Sequence, residues 1–130
     1  MTLAPKEVVR ELVDAYNAKS VERLVALYRP DARFWDPLHQ DGVVGREAIE
    51  GVIRGLFEAF PDERMSIRTL AADDTYAVAE FESTGTTADG KLFNLEFTEV
   101  YEIDNGEIAS VRVYINPSQL PGSKEGGEES

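Results

Sequence analysis

From Arg64 to Asn116 the chain carries four strand-like runs: Arg64–Ala71, Tyr76–Thr87, Lys91–Ile103 and Glu107–Asn116. Short turn signals separate them, at Asp73-Asp74, Asp89-Gly90 and Asn105-Gly106. Asn-Gly between apolar runs is a strong hairpin signal, because both residues tolerate the positive φ that a tight hairpin turn demands. The pattern predicts an antiparallel meander. Two of the runs are longer than an ordinary strand, and long strands must curl or bulge.

The first half reads as helices. Pro5 suits a first helical position, and Val8, Val9, Leu12, Val13 and Tyr16 recur at helical spacing behind it. Ser20 is placed to cap a second, short helix carrying Leu24, Val25, Leu27 and Tyr28, which Arg29-Pro30-Asp31 should end. Ala32 to Trp35 reads as a short strand stopped by Asp36-Pro37, and residues 38–44 as a loop. A third helix after Gly45 presents Ile49, Val52, Ile53, Leu56, Phe57 and Phe60, and Pro61 closes it. Gly51 and Gly55 lie on its neighbouring face. Helices followed by strands make an α+β domain over residues 1–116. Curling the sheet under three N-terminal helices predicts a cone with a pocket in its mouth. The tail, 117–130, is rich in Pro, Gly, Ser and Glu, has little to bury, and reads as disordered.

Composition narrows the chemistry. Thirteen basic against 25 acidic residues give a net charge of −12, which argues against nucleic acid and anionic membranes as partners. The absence of cysteine excludes disulfides, thiolate zinc sites and thiol catalysis. One histidine, His39, excludes a multi-histidine metal site. No glycine-rich phosphate motif is present, so neither cofactor nor metal is expected. With no membrane-spanning run and no secretion signal, a cytoplasmic protein is expected.

Registers then bring particular side chains together. A two-residue turn at Asn105-Gly106 sets Ile103 against Ile108, Tyr101 against Ser110, Glu99 against Arg112 and Phe97 against Tyr114. Their face also holds Phe93 and Leu95 and ends at Asn116. A glycine bulge at Asp89-Gly90 adds Phe81, Ala79 and Ala77, whereas a strict two-residue turn adds Glu80 and Glu82. The bulge is preferred, because it keeps the apolar set on one side. Glu99 is then a lone carboxylate on an apolar face, either a functional acid or half of an ion pair with Arg112. Asp36 is either a base or the cap of an Asp-Pro turn. Since Trp35 alternates with Phe34, one of the two faces inward. His39 is a pocket-mouth acid/base group or an exposed loop residue. Glu80, Glu82, Asn94, Glu96 and Glu102 read as a solvated face or a dimer rim.

The segment from Tyr28 to Asp62, with F-W-D-P at 34–37, G-R-E at 45–47 and A-F-P-D at 59–62, resembles the nuclear transport factor two-like superfamily. Within it the chain is similar to SnoaL-like polyketide cyclases and ketosteroid isomerase. That resemblance covers about residues 7–116, including the D-N-G-E-I turn. It implies a cone-shaped α+β barrel around an apolar cavity, a small apolar ligand, and homodimers through the sheet. It matches Asp36 to the isomerase's general base and Glu99 to its protonated oxyanion-hole acid. Four features depart, the first being that the acid is Glu rather than Asp, one methylene longer. The isomerase's oxyanion tyrosine matches Leu12, with Tyr16 one turn further on, and Arg112 beside Glu99 would favour its ionised form. The cyclases' last-strand aspartate is missing, since that strand reads Val111-Arg112-Val113-Tyr114.

The expected function is an isomerase or cyclase moving a proton on an apolar carbonyl compound, with Asp36 and Glu99 catalytic. Tyr16, Trp35, Phe57, Phe81, Phe97, Tyr101, Arg112, Tyr114 and Asn116 are the candidate ligand-binding residues. The alternatives are a non-catalytic binding module with the same pocket and a structural or dimerising domain with a filled one.

Overall fold

Pro5 takes the first turn of α1 (Pro5–Asn17), where a missing N–H costs nothing, and Glu7 accepts the N–H of Ala4 at 2.8 Å. Val8, Val9, Leu12, Ala15 and Tyr16 form its buried stripe. Lys19, at φ 58°, reverses the chain. Ser20 then caps α2 (Val21–Val25) by accepting the N–H of Arg23. The computed structural model describes residues 2–116 and 119. The reading of the 117–130 tail as disordered therefore falls, Gln119 apart, outside the described residues. No helix among the described residues is long and apolar enough to cross a membrane.

Six strands follow or interleave: β1 (Tyr28–Asp36), β2 (His39–Val44), β3 (Arg64–Ala72), β4 (Tyr76–Thr86), β5 (Leu92–Asp104) and β6 (Glu107–Tyr114), with α3 (Arg46–Ala59) between β2 and β3. They form one curved, unclosed sheet in the order β2-β1-β6-β5-β4-β3. The architecture is mixed α+β, as expected, but the sheet is neither a closed barrel nor wholly antiparallel: β1 runs parallel to β6. α1 packs on β3 and β4, and α3 packs on β1.

The four C-terminal strands and their turns lie where the sequence places them. Asn105 and Gly106 both adopt positive φ, at 53° and 77°. Gly90, at φ 86°, closes a loop between the bonded pair Thr87 and Lys91. This loop sets Phe81 opposite Phe97, Ala79 opposite Glu99 and Ala77 opposite Tyr101, the register the glycine bulge predicts.

Three local expectations are corrected. α2 stops at Val25 and Tyr28 already begins β1, because Pro30 sits where the β1–β6 register is interrupted and no ladder N–H is needed. Residues 39–44 form the edge strand β2 rather than a loop, since Asp36 closes a tight turn that folds His39 back against it. The third concerns β5 and β6. Ala109 is an extra residue in β6, with Ile103 opposite Ile108 but Glu102 opposite Ser110. That one-residue bulge turns the rest of β6 over. Val111 and Val113 face Tyr101 and Glu99, and Arg112 and Tyr114 go to the outer face, so no Glu99–Arg112 pair forms.

Candidate active site

An apolar cavity of about 170 Å³ lies between the helices and the inner face of the sheet. Leu12, Ile53, Phe34, Phe97 and Val113 are among its walls, and three carboxyls, Asp36, Glu63 and Glu99, also line it. Strand alternation explains two of them. Phe34 and Asp36 share one side of β1, and Glu99 follows Leu95 and Phe97 on the inner side of β5.

Asp36 stands at the end of β1 with 18 % of its side chain exposed. Its Oδ1 accepts the N–H of Leu38 at 3.0 Å and lies 2.8 Å from His39 Nδ1. Both contacts use the same oxygen, Oδ1. His39 thus holds the turn, with its ring against Phe34.

Glu99 is half-buried. Burial pushes its carboxyl up to about 7, the charges of Glu63 and Asp36 push the same way, and the hydroxyl of Tyr101, which donates to Glu99 Oε1, opposes them. Tyr101 is fully buried beneath it, and the same surroundings push its own phenol upward.

Glu63 is the functional candidate that the sequence reading missed. Only 7 % exposed, it accepts the Tyr16 hydroxyl at 2.6 Å and the Ser83 hydroxyl at 2.8 Å. Its loop is tied down from both sides. Asn17 exchanges two hydrogen bonds with the Met65 backbone, at 2.9 and 2.8 Å, and Lys19 Nζ donates to the Glu63 carbonyl. Gly85 lets this loop pack on β4, since a Cβ there would lie 3.1 Å from Glu63 Cα. The signal was present: carrying the inward alternation of Met65 back two residues puts Glu63 on the same face. Among the described residues no group of His, Cys, Asp or Glu side chains is arranged to hold a metal ion.

Of the candidates named from sequence, Asp36, Glu99, Tyr16 and Phe97 meet at this cavity. Phe57 packs edge-on against Tyr16 behind the wall, with ring centroids 5.1 Å apart. Phe81 is core, stacked on Phe97, and Tyr101 lies under Glu99. Trp35 is on the outer face beneath the Arg112 guanidinium, 5.1 Å from its ring, because a strand cannot turn both Trp35 and Asp36 inward. Tyr114 and Asn116 border an open groove with Arg68 and Glu96.

Residues 9–111 match the SnoaL-like domain family, and the chain belongs to that family, within the nuclear transport factor two-like superfamily. It is 32 % identical over 122 residues to a steroid Δ-isomerase of Nocardioides simplex, covering 92 % of this chain and 96 % of that one. Among solved structures, a protein of ketosteroid isomerase-like fold from Catenulispora acidiphila, in complex with trimethylamine, superposes with a TM-score of 0.82 at 18 % identity over 93 % of both chains. SalBIII, an epoxide hydrolase/cyclase-like enzyme in pyran ring formation in the polyether salinomycin, superposes at 0.79 with 21 % identity, over 88 % of this chain and 92 % of that one. These two likenesses establish the fold.

Proposed function

We propose that this protein is an isomerase or cyclase that relocates a proton on an apolar carbonyl compound bound in the cavity. Two carboxyls in contrasting surroundings carry the proposal. Asp36 sits at the partly exposed edge with its Oδ1 anchored, while Glu99, half-buried in the apolar wall, holds its proton up to about 7. Such a division suits one group for base work and the other for hydrogen-bond donation. The Asp36 carboxylate removes a proton from the carbon next to the carbonyl, and the C–H electron pair moves into an enolate. Protonated Glu99, with Oε1 occupied by Tyr101, donates to the oxygen as its charge grows. Asp36 returns the proton to a different carbon, or the enolate carbon attacks a second carbonyl of the same molecule, whose π electrons move to its oxygen, and that oxygen takes the proton back from Asp36. Neither route has an oxidation or reduction step.

The Nocardioides relative suggests β,γ-unsaturated ketosteroids as first substrates. The cavity's free space is close to the ~150 Å³ that accommodates benzene, so one ring fits inside and the rest extends through the mouth. A homodimer through the outer face of the sheet belongs with this function, as does the small apolar ligand.

The test is turnover of such a ketone to its conjugated isomer in D2O, followed by ultraviolet absorption and by deuterium uptake. Asp36→Asn should lower kcat by roughly 10²-fold or more and leave binding nearly unchanged. Full activity in that variant, or no exchange with any β,γ-unsaturated ketone by the native chain, would overturn the assignment.

A further inference from the structure

Two of the three cavity carboxyls share a row of the sheet. Trp35 is level with Arg112, so Asp36 is level with Val113, and Val113 stands opposite Glu99. Glu63 belongs to another row. Its carboxylate is held by the hydroxyls of Tyr16 and Ser83, at 2.6 and 2.8 Å, and Ser83 stands between Met65 and Leu95 in the sheet. Tyr16, Met65 and Leu95 all line the cavity, as Glu63 itself does. Leu95 lies four residues before Glu99 on β5, about 13 Å of strand. The cavity therefore has two acidic ends, with Phe97 in the wall between them. The chemistry proposed above uses one end and leaves Glu63 idle.

A carboxylate has about four lone-pair positions, and Tyr16 and Ser83 fill two of them. Among the described residues no further donor and no ion pair reaches it. Lys19 stands close by but is otherwise engaged. Its ammonium donates to the Glu63 carbonyl and lies 4.9 Å from the centre of the Tyr16 ring. Positive charge is thus already present beside the pair, and what the carboxylate lacks is hydrogen bonds. A ligand that fills the cavity takes the place of solvent, and unless it brings a donor the open lone pairs of Glu63 face hydrocarbon. We infer that Glu63 is a specificity-determining residue of this cavity, whose carboxylate accepts a hydrogen bond from a substrate hydroxyl at the end remote from the carbonyl. The inference rests on the carbonyl reading given above and narrows its substrate class from apolar ketones to hydroxylated ones. A neutral hydroxyl fits better than an ammonium, because Lys19 already answers the charge. Asn17 and Lys19 tie down the loop, so the acceptor is in place before the ligand arrives. A site built this way rejects the analogue without the hydroxyl, since its buried acceptor is then left unpaired.

The probes are 4-hydroxyacetophenone and 4-methylacetophenone, single-ring ketones that exchange a hydroxyl for a methyl group of similar size at the end opposite the carbonyl. Titration calorimetry in mildly acidic solution, where the phenol keeps its proton, gives the two dissociation constants. The native chain should bind the hydroxy ketone roughly 10–100-fold more tightly, the range for a hydrogen bond to a charged group. Glu63→Gln can still bond both Tyr16 and Ser83 but carries no charge, and it should cut the preference to about threefold, that of a neutral pair. Asp36→Asn should keep the native preference. A merely structural Glu63 would weaken both ketones alike, so an unchanged ratio in Glu63→Gln would overturn the assignment. Equal binding of the two ketones by the native chain would overturn it as well and leave the carbonyl reading intact. Should Glu63→Gln not fold, Asp36→Asn decides: a preference lost there places the hydroxyl at Asp36 and removes Glu63 from recognition. A native chain that binds neither ketone would also overturn the inference, and the turnover test above then decides whether the reading beneath it falls too.

Discussion

A carboxyl group set in an apolar wall bears on stability as well as on chemistry. Glu99 is pushed up to about 7 from an ordinary 4.5. Below 4.5 it is neutral in folded and unfolded chain alike, and its burial costs no charge. Between 4.5 and 7 the unfolded chain releases the proton and the folded one keeps it, so stability falls as pH rises. Above 7 the penalty is complete, at about 3 kcal/mol. Glu99→Gln keeps an acceptor for the Tyr101 hydroxyl and carries no charge. Chemical denaturation across pH should show no gain for the variant near pH 4.5, a gain growing up to 7, and a plateau beyond. A pH-independent difference would mean that Glu99 does not titrate between those values. The proposed reaction shares this dependence, since a Glu99 that has lost its proton cannot donate to an oxyanion. Activity of the native chain should therefore decline through about pH 7.

Helix α3 combines a wall of the cavity with two exposed defects. Ile49 and Ile53 are buried, whereas at Gly51 and Gly55 nothing beyond the adjoining residues and the helix's own backbone lies within 4 Å of where a Cβ would stand. The glycines leave the helix weaker with no packing gain in return, so each replacement by alanine should add roughly 1 kcal/mol. Gly51→Ala/Gly55→Ala should raise Tm by several degrees in calorimetry, and a lower Tm would show that something covers this face. Most elements of this kind were legible in the sequence because their signals are local: helical spacing in α1 and α3, the Ser20 cap, the Asn105-Gly106 turn. Other features leave no such mark. Ala109 bulges without the glycine that flags a bulge, so the register beyond it, and with it the placement of Arg112 and Tyr114, could not be read. β2 is short, polar and interrupted by Gly42. Tyr28 and Glu63 stand at element boundaries, where alternation has too few residues to declare a face. Glu99 could be placed because it continues the apolar alternation of Phe93, Leu95 and Phe97 inward, whereas Asp36 was reached through the resemblance alone, since the short run at 32–35 leaves open whether Phe34 or Trp35 faces inward.

Over the whole molecule, the outer face of the sheet is where charge and apolar surface compete. Across β4, β5, β6 and β1 the residues Val78, Val100, Arg112 and Trp35 stand side by side, and Tyr114 lies one row away opposite Thr98. Val78 is 41 % exposed and Tyr114 57 %. The proposed homodimer would cover this strip, where Arg112 is already seated on the Trp35 ring. Opposing it is the net charge of −12 on each chain, so two copies repel one another through the solvent. Salt shortens the reach of that repulsion and leaves apolar burial intact, so self-association should strengthen as ionic strength rises. Light scattering after size exclusion should give a dimer mass that dissociates on dilution at low salt and persists at high salt. Val78→Asp sets a further negative charge in the middle of the strip, and it should yield a monomer with its secondary structure intact. A native chain that is monomeric at every salt concentration, or a Val78→Asp variant that dimerises as the native chain does, would show that the outer face is not the contact.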